Sequence, residues 1–335
     1  MCSSDLTNVN CIEDPESPFH DSMEKSQNLD GLPVACCGLH SQFPLVAAGI
    51  RREMSDAKIV YVMTDQASLM LPFSKLATSA VDKGLVNLTI TCGQAMGGNL
   101  EAVTLHSALQ ACKCVLDADA VIVSMGPGIV GTGTALGNGG VAQAEAVNAA
   151  AALGANPVAV ARISFADKRE RHYGVSHHFA TAMGKLALAK ATIFIPNTMD
   201  QDQMELVGKQ LEESGIIRKH DVKMMVLARP NSLHIGIEEC PPENPADISN
   251  ASDAIEASQS EASWANDNQI DDDSYDPNAV YGNPDGNPID TRGIEIKTMG
   301  RTFEQDPEFF WSAYCSGIGM AKMIASYRRQ GGRAL

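Results

Sequence analysis

Three histidines, three arginines and an aspartate crowd residues 162–178, which read Arg162-Ile-Ser-Phe-Ala-Asp167-Lys-Arg169-Glu-Arg171-His172-Tyr-Gly-Val-Ser-His177-His178. Imidazoles move protons near neutral pH or ligate metals, and guanidiniums clamp phosphate or carboxylate. Brought together, Asp167, His172, His177 and His178 would transfer protons or hold a divalent metal, while Arg162 and Arg169 neutralise an anion. His172 and His177 are five positions apart with a glycine between them, so they are not the i, i+4 pair of a helical zinc site, and any metal stays unassigned. The plainer reading makes the arginines a solvated face. Arg162, however, leaves an apolar run, and a buried guanidinium requires an anionic partner, either a carboxylate or a ligand.

Residues 120–134, AVIVSMGPGIVGTGT, change at once from an apolar strand to a glycine-rich loop. Gly126, Gly128 and Gly131 formally match G-x-G-x-x-G, but a dinucleotide site also needs a helix opening inside the motif and an acid about 20 residues on. Neither is present, and no Lys follows Gly131 to make a phosphate loop of the Walker type. What remains is an anion nest of backbone N–H groups at Gly126, Gly128, Gly131 and Gly133, with the Thr132 and Thr134 hydroxyls beside them. The bland alternative is that the glycines only turn a corner.

A third motif, Gly93-Gln94-Ala-Met-Gly97-Gly98-Asn-Leu-Glu101, allows close backbone approach at Gly97 and Gly98 and places Gln94 near them. Glu101 is expected at a helix start, as a cap or as a base. His40 and Asp65 complete the set. Ser41 beside His40 cannot be ranked from spacing, and no G-x-S-x-G elbow occurs.

These motifs need a scaffold. Strands are expected at 34–39, 58–65, 85–92, 120–125, 157–164, 192–197 and 223–228, with helices at 45–54, 72–83, 101–116, 140–154, 178–191 and 203–215. Apolar strands alternating with helices predict a doubly wound α/β fold: a mostly parallel sheet with helices on both faces. A further strand at 294–301 and a helix at 307–329 are expected to pack back on this domain. Each polar motif follows a strand, and ligands of such sheets bind outside the strands' carboxyl ends, so the five motifs predict one composite site.

The chain has 335 residues and a formal charge of −16, but 14 of its acids lie between Arg229 and Arg292, where there is no Lys or Arg. Elsewhere 27 acids face 25 bases. The reading is a flexible segment at 1–31, a ligand-binding domain at 32–239, a disordered acidic insertion at 240–290 and a C-terminal strand and helix at 291–335. A near-neutral body without a basic stripe excludes nucleic acid. The absence of an apolar leader or span argues for no membrane and a cytoplasmic setting. Nine cysteines, several in apolar elements, suit a reducing compartment, and Cys112-x-Cys114 without a second pair is no zinc motif. A homo-oligomer stays open.

The runs GLHSQ, YVMTD, ITCGQAMGGNLEAV, MGPGIVGTGT and RISFADKRERHYGVSHH resemble a bacterial family known only as a domain of unknown function, over residues 32–230 and again at TMGR, 298–301. The resemblance implies no substrate or cofactor. It implies a β-rich N-terminal segment ahead of the part present here, and a shorter connection where this chain carries its acidic stretch. The residues themselves point to a hydrolase or group transferase acting on a small anionic substrate, phosphorylated or nucleotide-like. The alternative is a non-catalytic metabolite sensor.

Overall fold

Continuous β-branched runs bury both faces of the central strands, and their alternation divides them between two cores. Val34 and Cys36, Val60 and Val62, Val121 and Val123 face one side; Ala35 and Cys37, Ile59, Tyr61 and Met63, Ala120 and Ile122 face the other. The computed structural model describes residues 11–25, 28–227 and 289–330. The acidic insertion therefore lies outside the described residues, apart from 289 and 290.

Strands β1 (Pro33–Cys37), β2 (Ile59–Thr64), β3 (Leu88–Cys92), β4 (Leu100–Ala102), β5 (Ala120–Met125), β6 (Asn156–Val160), β9 (Thr192–Pro196) and β10 (Asp221–Met225) form one sheet in the order β10-β9-β6-β1-β5-β2-β3-β4. Every pairing in it is parallel. Helices α1 (His20–Lys25), α4 (Leu105–Cys114) and α5 (Ala142–Ala152) cover the first face, and α2 (Phe43–Glu53), α3 (Lys75–Asp82) and α9 (Pro307–Arg329) the second. Helices α7 (Gln201–Glu213) and α8 (Ile216–Lys219) lie between β9 and β10 in the chain. This is the doubly wound α/β fold, and no helix among the described residues is long and apolar enough to cross a membrane.

Several expected boundaries move for identifiable reasons. The run 157–164 is not one strand: β6 ends at Val160, and β7 (Ile163–Ser164) turns out of the sheet to pair antiparallel with β8 (Gly174–Val175). The expected helix at 178–191 is only α6 (His177–Thr181) followed by a π turn, Ala182–Leu186. Among the described residues the segment 294–301 joins no sheet and makes one isolated bridge, Thr298 with Arg301. Its alternation is nevertheless real, since Ile294 and Ile296 are buried in the second core. The leader read as flexible contributes Ile12, Met23 and Leu29 to the first core, apolar residues too sparse to show a period.

The GLHSQ motif owes one of its residues to the scaffold. Gln42, fully buried, accepts from the N–H groups of Gly38 and Leu39 and donates to Ala161 O, tying the ends of β1 and β6 together. Gln42→Leu would leave those groups unpaired, and we expect a loss of roughly 3 kcal/mol, read by urea unfolding. A loss below about 1 kcal/mol would mean that water replaces the amide there.

Candidate active site

The motifs after β1, β5 and β6 meet, because these three strands are neighbours at the centre of the sheet. The short β7–β8 hairpin folds the 162–178 segment back on itself, with Ser176 N–H bonded to Arg162 O. Ser176 then starts α6, its Oγ accepting from His178 N–H and lying 2.8 Å from His172 Nδ1. The result is a cluster of three imidazoles: ring centroids are 4.9 Å apart for His172 and His177, 4.8 Å for His172 and His178 and 4.3 Å for His177 and His178. One nitrogen from each lies within 4.8 Å of the others.

Beside the cluster is an ion network. Asp167 takes a two-pronged bond from Arg169, Nε at 2.9 Å and Nη2 at 2.7 Å, and lies 3.8 Å from Arg162 and 3.7 Å from Arg301. Asp306 is fully buried, bonded by Ser164 Oγ and by Arg301 Nε. Three guanidiniums thus face two carboxylates. The Arg169 bonds hold Asp167 well below the usual carboxylate range, so it has no proton to donate at neutral pH. Its carboxylate instead sits among Arg162, Arg169 and Arg301. Burial, against the pull of Asp167, lowers Arg162 to about 10, still charged at neutral pH.

Burial, followed by neighbouring positive charge, lowers His172 and His178 to about 3, and His177 is also lowered. All three are therefore neutral near pH 7. Unfolded imidazoles take up protons near pH 6.5, long before the folded ones do, so acid favours the unfolded chain. The melting temperature is expected to fall between pH 7 and 5, above the range where carboxylates titrate. His172→Gln and His178→Gln should flatten that slope; an unchanged slope in both would refute the assignment.

The glycine-rich loop roofs this cluster. A Cβ on Gly131 would lie 3.4 Å from the His178 ring, and one on Gly140 would lie 3.0 Å from His178 Cβ and from Asn138 Oδ1. The loop closes on itself as well: Gly131 bridges Asn138, Thr132 Oγ1 donates to Gly137 O, and Thr134 Oγ1 accepts from Gly137 N–H. Both threonine hydroxyls thus make hydrogen bonds within the loop. Gly128 and Gly133 keep positive φ with open space where a side chain would be.

The other end of the loop borders a cavity of about 840 Å³, lined by Gly126, Gly128, His40, Ser74 and three lysines, Lys75, Lys83 and Lys297. His40 is held on both sides: Nε2 lies 2.7 Å from Ser74 Oγ, and Nδ1 lies 3.1 Å from Met125 O and 3.1 Å from Tyr61 Oη. Burial lowers it to about 4.

The remaining motifs do not join this centre. Strand β4 is five strands from β6, about 24 Å at sheet spacing. Glu101 stands on β4 rather than at a helix start, which falls at Leu105 behind the Thr104 cap, and it accepts from Thr91 Oγ1 and Gly97 N–H. Residues 93–99, with Gln94, Gly97 and Gly98, connect two adjacent parallel strands without a helix, so the glycines approach the protein itself: a Cβ on Gly98 would meet Leu100 O at 2.8 Å. Asp65 accepts from Gln94 N–H and supports the same turn.

Sequence reading missed Ser74, Asn138, Ser164, Ser176, Arg301 and Asp306. Arg301 had one signal, since it ends the TMGR run. A family model described as "Protein of unknown function (DUF3866)" matches residues 3–236, more than half of the chain and extending N-terminal to residue 32. No curated protein matches the chain. No solved structure does either.

Proposed function

The chain belongs to the DUF3866 family, whose description carries no activity, and we propose from its geometry that it is an enzyme performing hydrolysis or group transfer on a small anionic substrate. One observation carries the reading: three clustered imidazoles adjoin a group of three arginines, Arg162 buried and Arg169 and Arg301 partly exposed, that two carboxylates do not fully neutralise, beneath a glycine-rich roof. A phosphate or carboxylate supplies the missing negative charge, with Arg162 and Arg301 the guanidiniums best placed to meet it. Neutral imidazoles accept the proton of an attacking water or hydroxyl, and the positive field stabilises the charge that develops on the substrate. The cavity at His40 and its lysines suits the substrate's organic body, held by the other end of the same loop.

A thermal-shift screen against phosphomonoesters, nucleotides and carboxylates tests this, since a ligand at a hundred times its Kd stabilises by about 2.7 kcal/mol. Hits are then assayed for product. A ligand bound but never turned over would make the protein a metabolite sensor, and a panel without any hit would sink the reading.

A further inference from the structure

Two buried polar atoms at the histidine cluster have no hydrogen-bond partner: His177 Nε2 and Asn138 Oδ1. Leaving such atoms unpaired costs about 1–3 kcal/mol each, and native proteins rarely do so without a ligand to satisfy them. Asn138 is only 6% exposed. Both its Oδ1 and His178 Cβ would lie 3.0 Å from a Cβ on Gly140, so the orphaned carbonyl and His178 flank the same glycine. Three ring nitrogens thus converge, one ring carries an unpaired nitrogen, and an unpaired amide oxygen stands in the loop above them.

We propose that His172, His177 and His178 bind one divalent transition-metal ion, of the zinc class, with Asn138 Oδ1 or a water beside them. Imidazole donors select this class over magnesium or calcium, which prefer all-oxygen shells. Ligands 2.0–2.1 Å from a tetrahedral ion stand about 3.4 Å apart. The nitrogens here are within 4.8 Å, so they must draw together by up to about 1.4 Å for an ion to bind. Ser176, already 2.8 Å from His172 Nδ1, fixes that ring from behind, as metal-bound histidines require.

One existing contact must be exchanged. Arg162 Nη1 lies 3.4 Å from His178 Nδ1, a long bond to a nitrogen that the metal-bound ring needs protonated or coordinated. On loading, the guanidinium turns to Asp167, at 3.8 Å, or to an anion on the metal's open position. Asp167 and Asp306 temper the arginines' repulsion of a dication. The inference deepens the anionic-substrate reading and would place its reaction at a Lewis acid: a bound ion would polarise a substrate oxygen or lower the pKa of a bound water, whose proton would pass to bulk solvent, the three imidazoles then serving as ligands rather than as the base.

Co²⁺, a spectroscopic stand-in for Zn²⁺, tests it on the full chain after EDTA treatment and dialysis. The expected result is a visible ligand-field band that saturates at one Co²⁺ per chain and is removed by excess Zn²⁺, which competes for the same imidazole donors. His177→Gln should weaken Co²⁺ binding at least tenfold while the circular-dichroism spectrum stays that of the wild type, and Asn138→Ala should shift the band. His106→Ala, a histidine at a separate cavity, should change nothing. No saturable band, or a band indifferent to both His177→Gln and His172→Gln, would overturn the metal site. Phosphate binding and turnover are measured in EDTA alongside. If they persist without metal and Co²⁺ does not bind, this inference fails alone; if Co²⁺ binds but no anion does, the substrate reading fails instead.

Discussion

Arg162→Met is expected to weaken inorganic phosphate binding about a hundredfold, the equivalent of roughly 2.7 kcal/mol. The guanidinium is 6% exposed and stands between the Asp167 carboxylate and His178. A charge fixed in that position is desolvated in advance, so an anion gains from it far more than from a surface lysine. Met retains the length and apolar packing of the side chain. Asp167 keeps its partners Arg169 and Arg301, so the fold should survive and the loss should appear in affinity. Isothermal titration of both proteins with phosphate at fixed ionic strength measures it. Equal affinities would mean that the anion is held elsewhere, the lysine-lined cavity being the next place to look.

Gly317→Ala is expected to destabilise the protein by at least 3 kcal/mol, a fall in melting temperature of roughly 10 °C. Helices α2 and α9 cross so closely that their glycines touch: a Cβ on Gly317 would lie 2.1 Å from Val46 O and 2.9 Å from Gly49 Cα, and one on Gly49 would lie 2.3 Å from Tyr314 O. These neighbours are backbone atoms and cannot rotate aside. A single methyl therefore has to separate two helices and loosen everything that α9 buries. Scanning calorimetry gives the number, and a shift under 2 °C would show that the helices have room to part.

Strands at the centre of the sheet were legible because burial on both faces leaves them almost wholly apolar, as in AVIVSM. Strand β4 was not, because three residues containing a glutamate carry no recognisable period, and Glu101 was misplaced with it. The hairpin β7–β8 was hidden inside what reads as one strand, since a change of pairing partner leaves no mark on hydrophobicity. The histidines, Arg162 and Arg169 could be named because they crowd one segment. Ser74 and Asp306 could not, because each meets its partner only through tertiary folding: Ser74 is 34 residues from His40, and Asp306 is 142 from Ser164. The glycines of 93–99 and 126–140 looked alike in sequence, yet one set turns a tight parallel connection and the other covers the imidazoles. Composition cannot separate a backbone that closes on itself from one that covers other side chains.

The Ser164–Arg301–Asp306 linkage also has a consequence in time. Ribosomal synthesis delivers the sheet and the histidines well before residues 301 and 306, so all ten described strands are made while Asp167 still lacks Arg301 and Ser164 still lacks its carboxylate. The centre acquires its final charge balance only when the last helix docks. Nascent chains would thus hold Asp167 and Ser164 short of two partners until residues 301–306 emerge, and this network would be completed at the end of synthesis rather than ahead of it.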